Sequence, residues 1–420
     1  MTEIKPPRGR IDTGALRKFL ESDAAEVMLR RELIEGAEIE AGQQALILTD
    51  TKPSDVADLE IQTIEAMLKE LGCTVRVLRV EDLLPPRPGS APISFVNVSH
   101  RHLPRVVMDA VRDSDVTFNL TGRSRGGQRY NVDLYTLSRY YAKHIDGGRT
   151  VEAPEVLGSG PDGGTNLEAM MYPCDLVRDI ADCVNELLFA AAENQEEFHL
   201  TNPWGTDLRF TVLPGDISQQ QGGIREYPHQ PHMFFGEDSG RLYRALAGFN
   251  VPQTCDGTWV TKYISVIGGI LSEPVRLTLR DGSPVNIEGG EDAQRLREVL
   301  ADENVTAHAI LLGLHPKARP FRNGQYIYDN SGAAAGCCHI GIGSPGLFYK
   351  QGRWGPLGNK HFELGDIPKI SLWAGKNQVL DRGRLLVLDN PRLREKAKQY
   401  GNPDELLRQF DWPPDVPTNY

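Results

Sequence analysis

The chain has 420 residues and carries 46 Lys and Arg against 57 Asp and Glu, a formal net charge of −11. That acidic balance leaves no basic surplus to neutralise phosphates, which argues against nonspecific nucleic-acid binding. No run approaches the roughly 18 apolar residues of a membrane span, so no membrane partner is expected.

At this length two domains and a substantial core are expected. The N-terminal segment Met1-Thr2-Glu3-Ile4-Lys5-Pro6-Pro7-Arg8 has no apolar stretch of the secretory kind. The six cysteines, at 73, 174, 183, 255, 337 and 338, show neither a CxxC pair nor zinc-ribbon spacing. Both features predict a cytoplasmic protein with free thiols. A soft metal element at Cys337-Cys338, beside His339, is the weaker alternative, because adjacent cysteines rarely chelate one ion together.

The first half alternates strands and helices. Ala45-Leu46-Ile47-Leu48-Thr49 is a short apolar run that ends in Asp50, a strand followed by a capping turn. Residues 54–71 carry apolar side chains at spacings of 3–4 and are closed by Gly72, which predicts a helix. Residues 74–80 alternate as a strand, 104–112 read as a helix, and 116–120 as another strand. Such alternation favours right-handed βαβ units and a parallel sheet. A long helix over about 166–193 is expected to close a Rossmann-like α/β domain spanning 1–198.

The texture changes at Asn202-Pro203-Trp204-Gly205-Thr206-Asp207. Short β runs follow at 208–212, 259–264, 275–279 and 385–388, with a hairpin signal at Arg280-Asp281-Gly282-Ser283. A helix signal at 291–300 makes this half, 199–420, an α+β domain. The Pro-rich tail from 402 is expected to lie on the surface.

Thr121-Gly122-Arg123-Ser124-Arg125-Gly126-Gly127 follows a predicted strand but matches neither GxGxxG nor the Walker pattern. It reads as a loop at the carboxyl end of a sheet, where clefts commonly form. Arg123 and Arg125 are candidates to hold an acidic small-molecule substrate.

Six of the ten histidines, at 229, 232, 308, 315, 339 and 361, lie in the second half. Any one of them alone is more often structural than metal-ligating. His361-Phe362-Glu363 carries more information: positions i and i+2 of a strand share a face, so both residues can meet one ion. Two His and one carboxylate on a single ion are the facial-triad pattern of non-haem Fe(II) oxygenases. His229 and His232, in Tyr227-Pro228-His229-Gln230-Pro231-His232-Met233, are either loop residues or groups whose near-neutral pKa suits proton transfer.

Residues 200–390 resemble the aminopeptidase T-like family of metallopeptidases and its 2,5-dihydroxypyridine 5,6-dioxygenase branch. The motifs that carry the resemblance keep one order. They are Gly205-Thr206-Asp207-Leu208, Leu279-Arg280-Asp281-Gly282, the segment from His308 to Pro316, Cys338-His339-Ile340-Gly341-Ile342-Gly343, and Asn359-Lys360-His361-Phe362-Glu363.

The resemblance implies metal ligation by His361 and Glu363, with His308 where peptidases carry a Glu and the dioxygenase a His. The departures matter too. Ala247-Gly248-Phe249-Asn250-Val251-Pro252 lacks the Glu of the peptidases, and Glu363 replaces the usual Asp. A pair of dications needs several carboxylates to offset their repulsion, so the pattern favours one ion held by His308, His361 and Glu363. His339 is then a fourth ligand or an acid/base beside the substrate.

The sequence reading is therefore a mononuclear Fe(II) dioxygenase that cleaves a hydroxylated aromatic or N-heterocyclic ring, in a homo-oligomer. A Zn- or Mn-dependent hydrolase and a non-catalytic binding protein are the alternatives.

Overall fold

The structure is a computed structural model and describes residues 22, 30, 39–49, 55–79, 105–120, 149–152, 172–214, 246–250, 254–264, 269–300, 306–318, 321–322, 325–326, 334–343, 349–350, 353–354 and 361–412. Its first sheet is built from β1 (Gln44–Thr49), β2 (Thr74–Arg79), β3 (Val116–Leu120) and β4 (Arg149–Glu152), with α1 (Asp55–Glu70) and α2 (Arg105–Arg112) between them. The strand order is β2-β1-β3-β4 and every pairing is parallel.

The apolar run of β1 explains this arrangement, because a central parallel strand is covered on both faces. Ala45 and Ile47 join the core formed with Ile61, Ile64, Met67 and Leu68 of α1. Leu46 and Leu48 pack instead with Val107, Ala110 and Val111 of α2. Gly72 ends α1 at φ +87°, a conformation that glycine adopts without cost.

The long helix α3 (Cys174–Glu193) starts directly after Pro173, and residues 166–171 of the expected helix lie outside the described ones. Leu176, Val177, Ile180, Val184, Leu188, Ala191 and Ala192 form its buried stripe at helical spacing.

The chain then builds a second, larger sheet. Its strands are β5 (Glu197–Thr201), β6 (Asp207–Thr211), β7 (Leu246–Asn250), β8 (Asp256–Ile264), β9 (Gly269–Arg280) and β10 (Ser283–Glu288), followed by α4 (Glu291–Leu300) and β11 (Thr306–Gly313). Two short hairpins, β12 (Phe321–Arg322) with β13 (Gln325–Tyr326) and β15 (Tyr349–Lys350) with β16 (Arg353–Trp354), flank β14 (Cys338–Gly343). The last strands are β17 (His361–Ile367), β18 (Ser371–Ala374), β19 (Asn377–Asp381) and β20 (Arg384–Leu385).

Twelve of these strands form one sheet. Its main path is β20-β19-β18-β5-β6-β8-β17-β14-β11-β7, and β9 and β10 branch from β8. Its pairings are antiparallel. The mixed α/β expectation thus holds as a parallel sheet plus a larger antiparallel one. One apolar cluster contains residues from Ile39 to Leu407.

Two local readings can be compared directly. Asp281 and Gly282 both have positive φ, 49° and 72°, which makes the β9–β10 turn the tight hairpin expected of Asp-Gly. The apolar run 385–388, by contrast, is not a strand. β20 stops at Leu385, and Leu386–Asp389 forms a 3-10 turn that buries Val387 and Leu388. The following Asn390-Pro391 is the reason: Asn390 accepts a hydrogen bond from the Arg392 N–H at 2.9 Å and caps α5 (Pro391–Ala397), so the chain must turn before it.

Candidate metal centre

The candidate ligands come from three adjacent strands of the large sheet: His308 from β11, His339 from β14, and His361 and Glu363 from β17. Two antiparallel ladders join these strands, with β14 between β11 and β17. Gly341 pairs with Glu363, and Gly343 with His361. On the other side of β14, Ala309 pairs with Gly341.

Alternation within β14 assigns the faces. Cys338 and Ile340 belong to the apolar core. His339, Gly341 and Gly343 are the alternate positions of the same strand, and Glu363 and His361 pair directly with Gly341 and Gly343.

His308 lies at a register break. Ala307 pairs with Ile342 and Ala309 with Gly341, so His308 is the additional residue of a β-bulge. A bulge suspends strict alternation and re-aims one residue, a device common beside active sites.

A second break lies in β17. His339 pairs with Asp366 whereas Ile340 pairs with Leu364, which leaves Gly365 unpaired. Asp366 is thereby the register partner of His339. Sequence reasoning missed this carboxylate, because simple alternation from His361 puts position 366 on the other face. The usable signal was the glycine at 365.

Other candidates separate from the group. His315 is fully buried, its Nδ1 accepts hydrogen bonds from the N–H groups of Lys317 and Ala318 at 3.1 and 3.2 Å, and its ring lies 5.0 Å from that of Tyr172. It locks the turn after β11. Cys338 belongs to the main core, and Cys337 packs with Ala318 and Ala334. Arg123, Arg125, His229 and His232 lie outside the described residues. Among the described residues there is no group of three or more His, Cys, Asp or Glu side chains that could hold a metal ion.

The strand next to β11 is β7, Leu-Ala-Gly-Phe-Asn, which contributes no carboxylate for a second ion.

No protein-family model matches the chain, and no curated protein sequence matches it. Two solved structures share the fold at low identity. The 2,5-dihydroxypyridine dioxygenase from Pseudomonas putida KT2440 is 12% identical, with a TM-score of 0.56 over 87% of this chain and 98% of that one. Wild-type AmpT from Thermus thermophilus is 14% identical, with a TM-score of 0.55 over 88% of this chain and 100% of that one. The relationship is a distant structural one with both proteins. No helix among the described residues is long and apolar enough to cross a membrane.

Proposed function

We propose that the chain is a mononuclear, metal-dependent enzyme that cleaves a hydroxylated aromatic or N-heterocyclic ring, with Fe(II) as its metal. The observation that carries this reading is the ladder that sets His361 and Glu363 opposite Gly343 and Gly341, one strand from the bulge at His308. The dioxygenase among the structural neighbours supports the same reaction class by likeness of fold.

In this reading His308, His361 and Glu363 hold the ion. Bound Fe(II) supplies Lewis acidity and O2 chemistry, with coordination positions left for a chelating substrate. The chain's own residues do the rest. His339, paired in register with Asp366, holds or moves the proton of a ring hydroxyl, and an adjacent carboxylate suits an imidazole to that task. Arg123 and Arg125 orient an anionic substituent, and His229 and His232 are further proton-handling candidates. The enzyme acts on a small molecule as a cytoplasmic homo-oligomer.

Anaerobic purification followed by metal analysis and O2 uptake with 2,5-dihydroxypyridine tests the reading. About one Fe per chain and ring-dependent O2 consumption are expected. Two Zn or Mn per chain with release of an N-terminal residue from a peptide would overturn it. That outcome belongs to the second reading, a metal-dependent hydrolase, which the His339–Asp366 pairing and the likeness to AmpT favour.

A further inference from the structure

The chain that follows the helical turn Pro403–Leu406 is held by two different kinds of contact. Leu407 belongs to the main apolar core, and the Tyr172 hydroxyl donates to the Leu406 carbonyl at 3.1 Å. Beyond that anchor, every residue from Arg408 to Trp412 is exposed or half-buried. Phe410 and Trp412 pack on a small separate cluster of Ala318, Ala334 and Cys337.

The polar contacts of Arg408–Trp412 converge on the end of one ladder. The Gln409 side chain accepts from the Leu385 N–H at 3.0 Å and donates to the carbonyls of Ala335, at 2.9 Å, and Gly383. Trp412 Nε1 donates to the same Gly383 carbonyl at 2.9 Å, and the Phe410 N–H to the Pro316 carbonyl at 3.3 Å. Pro316 follows β11 and Ala335 precedes β14. These two segments also bond to each other, Gly313 N–H to the Cys337 carbonyl at 2.9 Å and Ala335 N–H to that of His315 at 3.1 Å. The seat is close-fitting: a Cβ on Gly383 would lie 2.6 Å from Trp412 Nε1.

A segment held by a few hydrogen bonds and a satellite cluster opens at a lower free energy than the main core. We propose that Arg408–Trp412 is a latch, which clamps the exit of β11 to the entry of β14, opens while the main core stays folded, and so fixes the strands that carry His308 and His339. Its importance for activity rests on the reading of those strands as carriers of the site, because the register of β14 is what sets Gly341 opposite Glu363. The latch itself does not depend on that reading.

Cys337 reports on the latch, since it is fully buried in the cluster beneath Phe410 and Trp412, and Cys255 of the main core is the internal control. The test is labelling of the native full chain with N-ethylmaleimide at neutral pH, each cysteine being followed by peptide mass spectrometry, with amide exchange of residues 338–343 measured in parallel. Gln409→Glu removes the donor to both carbonyls and is expected to speed labelling of Cys337 at least about tenfold. Exchange in β14 should accelerate with it, while Cys255 labelling and far-UV circular dichroism stay as in the wild type. Trp412→Phe, which loses one hydrogen bond, should give about fivefold and carries the test if Gln409→Glu does not fold.

Unchanged Cys337 labelling in a folded variant, equal acceleration of Cys337 and Cys255, or faster labelling without faster exchange in β14 each overturns the proposal. Selective opening in a chain that holds no metal would instead retain the latch and remove only the metal reading.

Discussion

Gly341 of β14 stands directly opposite Glu363 of β17, in a ladder whose next site-face pair is Gly343 with His361. Two glycines in a strand interior weaken it, since they bury no side chain and lose the most backbone freedom on folding. We propose that they are kept beside the two candidate ligands to leave space for an ion and its substrate.

Gly341→Val tests that explanation. Valine suits a strand, so the fold is expected to survive. Its branched side chain would occupy the face beside Glu363, and metal affinity should fall at least about tenfold, on the scale of other changes next to metal ligands. Circular dichroism and metal analysis together decide the matter. Unchanged metal binding and activity would show that the glycine serves only backbone geometry.

Asp366 offers a second test. If it positions His339, Asp366→Asn should lower kcat about tenfold or more, shift the pH profile of kcat, and leave metal content within twofold of wild type. An unchanged pH profile would mark Asp366 as structural.

How much of this was legible in the sequence depended on how local the signal was. The alternating strands and helices of the first half, the Asp281-Gly282 turn and the shared face of His361 and Glu363 all follow from periods of two and 3.6 residues. The conjunction of β11, β14 and β17 does not, because nothing in a strand's own pattern names its neighbours. Asp366 was hidden for a sharper reason. It lies beside a register break, and a single unpaired residue inverts the face that alternation assigns. The 385–388 run misled in the opposite direction, since Asn390-Pro391 overrides its apolar character.

The fold makes its own prediction at Gly257, where β6 and β8 meet. A Cβ there would lie 2.0 Å from the Asp207 carbonyl oxygen, and the residue sits at φ +129°. Gly257→Ala should destabilise the protein by about 3 kcal/mol or more, seen as a lowered urea midpoint or loss of soluble protein. Wild-type stability in this variant would contradict the β6–β8 register.

Cys255 ties the core to pH. Burial, reinforced by the nearby Asp256 carboxylate, pushes its thiol up from 9.0 to about 12. Because the folded-state value is the higher, folding favours the protonated thiol. The contribution is intact below pH 9 and is lost as pH rises toward 12. Native protein should therefore react slowly at Cys255 with a thiol reagent at pH 8, and Cys255→Ala should flatten the alkaline fall in stability between those limits. Rapid labelling under native conditions would show that the thiol is not buried as described.

In the proposed function one ion is shared by His308 of β11 and by His361 and Glu363 of β17. Metal analysis of His308→Ala, prepared anaerobically beside the wild type and His361→Ala, tests it most directly. About one Fe per wild-type chain is expected, most of it lost in both variants, with unchanged circular dichroism. Full metal occupancy in folded His308→Ala would contradict it and transfer the third position to His339.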